Sequence, residues 1–200
     1  MTWPVTLTDD GVTLRPLRLR DGRAWREVRI ANREWLKPWD ATVPPEAQHP
    51  GGEVPVSFGQ MVRRQRREAL AGRMLPWALA TDRLVGQVTV GGITYGSVRS
   101  AYIGYWIDQR AAGRGITPLA VAMAADYCFD VLRLHRVELN IRPENAASLR
   151  VAEKLGLREE GFRPSFLHID GRWCDHVTFA VLADEFPGGL RARLRSRTTH

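Results

Sequence analysis

Two hundred residues, 44% hydrophobic and 26% charged, suffice for one domain with a single core and leave too little chain for two. No run approaches the ~18 consecutive apolar residues of a membrane span, and Met1-Thr2-Trp3-Pro4-Val5 lacks the basic-then-apolar order of a secretory signal, so the chain is expected in the cytoplasm, without membrane contact. The net charge of +7 favours an acidic partner (a cofactor phosphate, nucleic acid or the ribosome surface) but does not locate a site.

Residues 12–17 alternate and include Pro16, which predicts a first strand. Asp21 then caps a helix through about Asn32, with Trp25 and Val28 on one face. Residues 37–55 hold Pro38, Pro44, Pro45, Pro50, Pro55 and the pair Gly51-Gly52, a long loop of the kind that carries function. Trp35 and Trp39 flank it, as a substrate wall or an apolar plug. Ser57-Phe58-Gly59-Gln60 has the form of a capping box for a helix to about Ala71, which carries Arg63, Arg64, Arg66 and Arg67. Residues 76–80 and 84–90 read as a hairpin, with Trp77 in the core. A strand ends at Ile107, and residues 119–131, apolar nearly all round, make a buried helix. Residues 136–141 alternate as a strand. Asn145 caps a helix that Gly156 stops. Two last strands, 162–169 and 177–182, enclose the turn Asp170-Gly171. The order predicts one α/β domain over 10–185, a mixed sheet with helices on both faces. Residues 186–200, with Arg191, Arg193, Arg195 and Arg197, are expected to form a disordered basic tail, the one segment that could touch RNA. Cys128 and Cys174 lack metal spacing and read as reduced thiols.

The most informative stretch is Arg110-Ala111-Ala112-Gly113-Arg114-Gly115. A strand precedes it and a helix follows, so backbone N–H groups and the positive end of a helix dipole converge on one point, an anion site. The glycines remove Cβ atoms from the approach of a phosphate, and Arg110 and Arg114 supply charge. There is no Gly-x-x-x-x-Gly-Lys-Ser/Thr and no Gly-x-Gly-x-x-Gly with a downstream acid, which argues against a nucleoside triphosphatase or a dinucleotide fold.

This loop resembles the pyrophosphate loop of the GNAT acyltransferases. The resemblance extends over residues 76–182. It includes Asn145-Ala146-Ala147-Ser148, the helix end Leu155-Gly156 (with Leu157 where the family has an aromatic) and the closing run Ile169-Asp170-Gly171-Arg172-Trp173. The last, with Val12-Thr13-Leu14-Arg15-Pro16, is similar to the ribosomal-protein-alanine N-acetyltransferases of the RimJ and RimL kind. The resemblance implies a mostly antiparallel sheet splayed between its fourth and fifth strands, here residues 102–107 and 136–141. Acetyl-CoA is the implied co-substrate, without a metal, its pantetheine filling the split in place of a strand. Trp106, Ile107, Asp108, Arg110, Ala112, Gly113, Arg114, Gly115, Ile116, Thr117, Asn145 and Ser148 are the implied contacts. Ser148 would protonate the departing sulfur. Many relatives place a Glu two residues before the Gly-Tyr-Trp; here Tyr102 stands there, as a substrate-side wall or a water-holding hydroxyl, and Glu138 and His168 are the candidates for the general base if their strands face the cleft. Asp175 and His176 could orient one another.

The implied reaction is direct attack of an amine on acetyl-CoA in a ternary complex, since neither cysteine lies in an activating motif. The acceptor is expected to be a protein N-terminal α-amine. The alternatives are a small amine, such as a polyamine or aminoglycoside, and a non-catalytic acyl-CoA- or RNA-binding module. Acids clustered at the acceptor opening would favour the polyamine, an open groove the peptide. Monomer and homodimer stay open.

Overall fold

A computed structural model describes residues 3–44 and 57–198. The rest of the proline loop, with Pro45, Pro50, Pro55 and the Gly51-Gly52 pair, lies outside the described residues. The sheet runs β1 (Leu7–Asp9), β2 (Val12–Pro16), β3 (Leu75–Ala80), β4 (Leu84–Thr94), β5 (Ser100–Ile107), β6 (Arg136–Ile141), β8 (Arg172–Leu182), β7 (Arg158–Ile169). Helices α1 (Gly22–Ala31), α2 (Arg33–Leu36) and α3 (Phe58–Leu70) intervene between β2 and β3. Helix α4 (Ile116–Asp130) follows β5, α5 (Ala146–Leu155) follows β6, and α6 (Gly189–Thr198) follows β8.

Alternation along the strands sorts the helices onto two faces. On β3, Trp77 and Leu79 join α4, α5 and Leu190 of α6 in the main core, while Ala78 packs with Val28 of α1 and Val62 of α3. Helix α4 has no polar face because it is covered by sheet, α5 and α6 together, as its apolar sequence requires. The expected caps form: Ser57 and Gln60 exchange hydrogen bonds at the start of α3, and Gly156 ends α5 at φ +66°. Asp21 precedes α1, but its carboxylate turns away from the helix to accept from Arg15 and from the Arg18 backbone N–H. Trp77 is fully buried, and its Nε1 donates to the Val5 carbonyl at 3.0 Å.

All pairings are antiparallel except β5 with β6, which run parallel and pair only over Ser100–Tyr102 and Arg136–Glu138. Beyond that point the strands diverge, which opens the split. It falls between the expected segments, but these are the fifth and sixth strands, because β1 adds a strand ahead of the one expected first. Asp10-Gly11, at φ +44° and +73°, turns β1 into β2 as a two-residue hairpin, a signal legible in the sequence.

The tail departs most from expectation. Residues 189–198 form α6, and the packed unit extends past 10–185 at both ends. The cause is buried countercharge. Asp126, on α4 and almost fully buried, accepts from the backbone N–H of Leu190 at 2.7 Å and from Arg191 Nε at 2.8 Å. Asp9 of β1 accepts from Arg195 at 2.5 Å. Leu190 drops into the core, and Gly189, at φ +88°, passes so close to Asp126 that a Cβ there would lie 2.8 Å from its Oδ1.

Candidate active site

The divergence of β5 and β6 makes a cleft of about 650 Å³, floored by β4 and β5, closed at one end by the glycine loop and α5, and roofed by α2 and the residues after it. The Gly loop sits as its sequence implies. Gly113 and Gly115 both adopt φ +78°, with open space for 4 Å around the point where a Cβ would stand, and Gly115 is the residue that starts α4. The first N–H groups of a helix have no partner inside it, so those of Ile116 and Thr117 point out of the helix end beside the glycines.

Beneath the loop lies Asp108, completely buried. It accepts from Asn32 Nδ2 at 3.1 Å, from the Arg110 backbone at 3.2 Å and guanidinium at 3.0 Å, and from Arg83 at 3.3 Å. Asn32 returns its Oδ1 to the Gln109 N–H at 2.8 Å. Burial alone would raise the Asp108 pKa, but the bonds from Arg110 and Asn32 outweigh it and hold it low. Asp108 thus stays ionised and fixes the entry into the loop from α1. This corrects two expected contacts: the Asp108 side chain points inward, and Arg110 is engaged with Asp108 instead of facing the cleft.

Trp106, Ile107, Ala112, Gly113, Gly115, Ile116, Thr117, Asn145 and Ser148 do line the cleft, and Arg114 lines a neighbouring one. Asn145 caps α5, its Oδ1 accepting from the Ser148 N–H at 3.0 Å. That bond turns the first turn of α5, with Ser148, into the cleft. Beside Ser148 stands a residue that the motifs do not mark. Tyr105 lines the cleft, and its hydroxyl is buried without a hydrogen-bond partner. Burial pushes its pKa up to about 12, against a weaker opposing pull from Ser148. No sequence signal singles it out beyond its place in Gly104-Tyr105-Trp106.

The candidates for the amine proton lie elsewhere. Tyr102 is half-exposed outside the cleft, its ring laid over Gly91 and Gly92, where any Cβ would clash at 2.7 Å. Glu138 accepts from Arg136 at 2.8 Å and Arg163 at 3.0 Å, so both oxygens are occupied by guanidinium groups. His168 is buried against Trp173 with Nδ1 2.7 Å from Thr42 Oγ1, outside the cleft. Asp175 accepts from the Ser165 N–H at 2.7 Å and His176 Nδ1 meets the Cys174 carbonyl at 3.0 Å, so the two are engaged separately. Burial holds His176 below the usual histidine pKa.

The roof is tied down. Trp35 Nε1 donates to the Ile107 carbonyl at 3.2 Å. Arg142, itself buried, donates to the Pro38 carbonyl at 2.7 Å and sits over the Trp39 ring at 5.5 Å. Both tryptophans line the cleft, which makes them wall residues. The two acids at the cleft are neutralised: Asp40 pairs with Arg29 at 2.5 Å and Glu144 with Arg142 at 3.2 Å. Among the described residues, no His, Cys, Asp or Glu cluster is arranged to hold a metal, and no helix is long and apolar enough to cross a membrane.

A parted parallel strand pair, a positive-φ glycine turn opening a helix, and an orphaned hydroxyl at the inner end fit an elongated thioester carrier ending in phosphates. They define a CoA-dependent acyltransferase. The chain belongs to the GNAT acetyltransferases: residues 12–158 match the family model described as an acetyltransferase (GNAT) domain. It is an acetyl-CoA-dependent N-acetyltransferase. Over 188 residues it is 29% identical to the [ribosomal protein uS5]-alanine N-acetyltransferase of Escherichia coli, covering 92% of this chain and 94% of that one. It is 42% identical over 101 residues to the probable N-acetyltransferase YjcK of Bacillus subtilis, 50% of this chain and 56% of that protein. The structure of Mycobacterium smegmatis RimJ in complex with CoA-disulfide superposes with a TM-score of 0.88 at 38% identity, over 98% of this chain and 96% of that one.

Proposed function

We propose that the enzyme acetylates the N-terminal α-amine of a protein, with a ribosomal protein as the acceptor class. The observation that carries this reading is the charge at the cleft. A polyamine site needs free carboxylates, whereas Asp40 and Glu144 are each paired with an arginine, and Arg150 and Lys154 add positive charge at the same wall. The extended similarity to a ribosomal-protein-alanine N-acetyltransferase supports it. Family membership sets aside the non-catalytic alternative.

The neutral amine nitrogen attacks the acetyl carbonyl carbon, the C–S bond breaks and the sulfur leaves with a proton from Ser148, while the nitrogen gives up its proton to solvent, from which Ser148 is reprotonated. Tyr105, held protonated by burial, stands behind Ser148 as the supporting donor. Trp106, Ile107, Asn145 and the N–H groups of Gly113 to Thr117 are the proposed cofactor contacts; the Ala112 N–H is already donated to the Gln109 carbonyl at 3.1 Å. No unpaired carboxylate among the described residues lines the cleft. An α-amine, with a pKa of about 7.7–8.0, is already partly neutral near pH 7, so no strong base is required. Mass spectrometry of Ala-starting peptides and of spermidine, each incubated with acetyl-CoA, tests the reading. Acetylation of the peptide α-amine is expected, and acetylation of spermidine alone would overturn it.

A further inference from the structure

The net charge of the chain sits on one face. Residues 18–36, which hold α1 and α2, and 57–73, which hold α3, contain eleven arginines and four acids, a surplus of seven. Of the 29 basic and 22 acidic residues, the rest of the chain keeps 18 of each, so it carries none of the +7. Helices α1 and α3 lie side by side on the sheet: the Trp25 and Phe58 ring centroids are 5.4 Å apart, and a Cβ on Gly22 would meet the Phe58 ring at 3.0 Å. Their apolar sides, with Val28 and Val62, are buried in the second core, which turns the arginines outward. Arg20, Arg26, Arg63, Arg66 and Arg67 are exposed and have no carboxylate partner among the described residues. The acids nearby are spent: Asp21 on Arg15, Glu27 on Arg23 and Glu68 on Arg73. Arg63 is one turn from both Arg66 and Arg67, and like charges at that spacing weaken a helix. The fold gains nothing from them, whereas a field of one sign on one face attracts a polyanion.

We infer that the α1–α3 face docks on the phosphate backbone of double-stranded RNA. Guanidinium groups match phosphate oxygens in bidentate geometry. A duplex is read by its shape and phosphates, whereas a single strand needs aromatic rings to stack its bases. The exposed aromatic residues among those described, Tyr95, Tyr102, Phe162, Phe166 and Trp173, all lie on other elements. A membrane surface fits less well, because an interfacial helix inserts its apolar side, and both helices have theirs packed on the sheet. The tail, where the sequence places RNA contact, has Arg191 and Arg195 held by Asp126 and Asp9. Helix α2 follows α1 directly and roofs the cleft, so RNA on this face would hold an attached protein near the acceptor opening. The choice of RNA as the polyanion rests on the proposed ribosomal acceptor.

Fluorescence anisotropy of a labelled RNA duplex of about 20 base pairs, titrated with the full chain between about 50 and 200 mM salt, tests it. Four phosphate contacts give a log–log salt slope of about −3.6 at the B-DNA coefficient, and so a loss of about a hundredfold over that range. Arg63→Gln/Arg66→Gln/Arg67→Gln removes three of them. Affinity at the lower salt should fall more than tenfold, and the slope should shrink by about 2.7. The three side chains are exposed and outside the cleft, so the variant should melt as the wild type does and acetylate a free Ala-starting peptide at the wild-type rate. Saturating CoA should leave RNA binding unchanged, which separates this face from the cationic wall of the cleft. A DNA duplex of the same sequence should bind no more tightly than the RNA. Absence of RNA binding by the wild type, with or without capture by phosphatidylserine vesicles, would overturn the inference. So would an unchanged slope in the folded triple variant, displacement of RNA by CoA, or tighter binding of the DNA. Acetylation is scored on free peptide, so the acceptor reading and the docking face fail separately.

Discussion

The buried hydroxyl of Tyr105 offers the sharpest test, because it sets stability against activity. An unsatisfied buried polar group costs about 1–3 kcal/mol relative to a satisfied or absent one. Tyr105→Phe keeps the ring and removes only the buried oxygen, whose approach to Ser148 falls short of a hydrogen bond. The variant should therefore gain about 1 kcal/mol, seen as a Tm about 2–4 °C higher in a chain of this size. Catalysis should move the other way. If the hydroxyl supports proton delivery by Ser148, kcat should fall about tenfold or more with acetyl-CoA affinity little changed, the sign of an interaction made mainly in the transition state. Ser148→Ala, which removes the proposed donor itself, should cost about 10²–10⁴-fold. Alkaline stability gives a second readout. The folded phenol is pushed up to about 12, chiefly by burial, while an unfolded tyrosine ionises near 10. Between those values the unfolded state binds fewer protons, so stability fully present below pH ~10 is lost as pH rises towards 12. Tyr105→Phe should remove that part of the loss. Steady-state kinetics and thermal melts at pH 7 and above 10 measure all three effects. A variant with a lower Tm and an unaltered kcat would show that the hydroxyl is a structural donor, and the reasoning fails.

Three further outcomes follow from the structure. Gly115→Val forces a β-branched residue to φ +78°, which costs about 1–2 kcal/mol of stability, yet it should weaken acetyl-CoA by well over tenfold in calorimetry, because the new side chain stands where both clefts meet. Asp126→Ala strips α6 of its anchor and leaves the buried Leu190 N–H unpaired; chemical denaturation should show a loss of about 2–3 kcal/mol, and limited proteolysis should cut first within 189–198. Glu160, whose pKa is brought down to about 2 by Arg136 and then Arg158, contributes stability present above the unfolded value of about 4.3 and lost as pH falls towards 2. In Arg136→Ala, NMR titration should find the Glu160 pKa moved up towards the ordinary range, and no movement would discount the Arg136 contact.

Local chemistry made much of this protein legible. Positive φ at Gly113, Gly115 and Gly156 is a demand that a residue without Cβ meets at no steric cost, so the glycines announce the loop and the helix stop from the sequence alone. Ser57 and Asn145 cap because their short side chains reach a backbone N–H three residues on, and that reach is equally local. Alternation marked the strands, and a helix apolar on every side announced that it would be covered on every side. From these follow the order of elements and the end of α5 that carries Ser148, whereas the split of the sheet is implied by the resemblance to the GNAT acyltransferases.

What decided the rest is pairing between residues far apart in the chain. Glu138 is removed from the cleft chemistry by Arg136 and Arg163, Asp108 is turned inward by Asn32 just past the end of α1, and the tail becomes a helix because Asp126 and Asp9 wait for its arginines. Tyr105 gains its importance because burial leaves its hydroxyl short of a hydrogen bond with Ser148 beside it, a fact about the space around it. A sequence states which groups can ionise or donate. Which of them are already spent on a neighbour is a long-range property of charge and burial, and only the folded chain determines it.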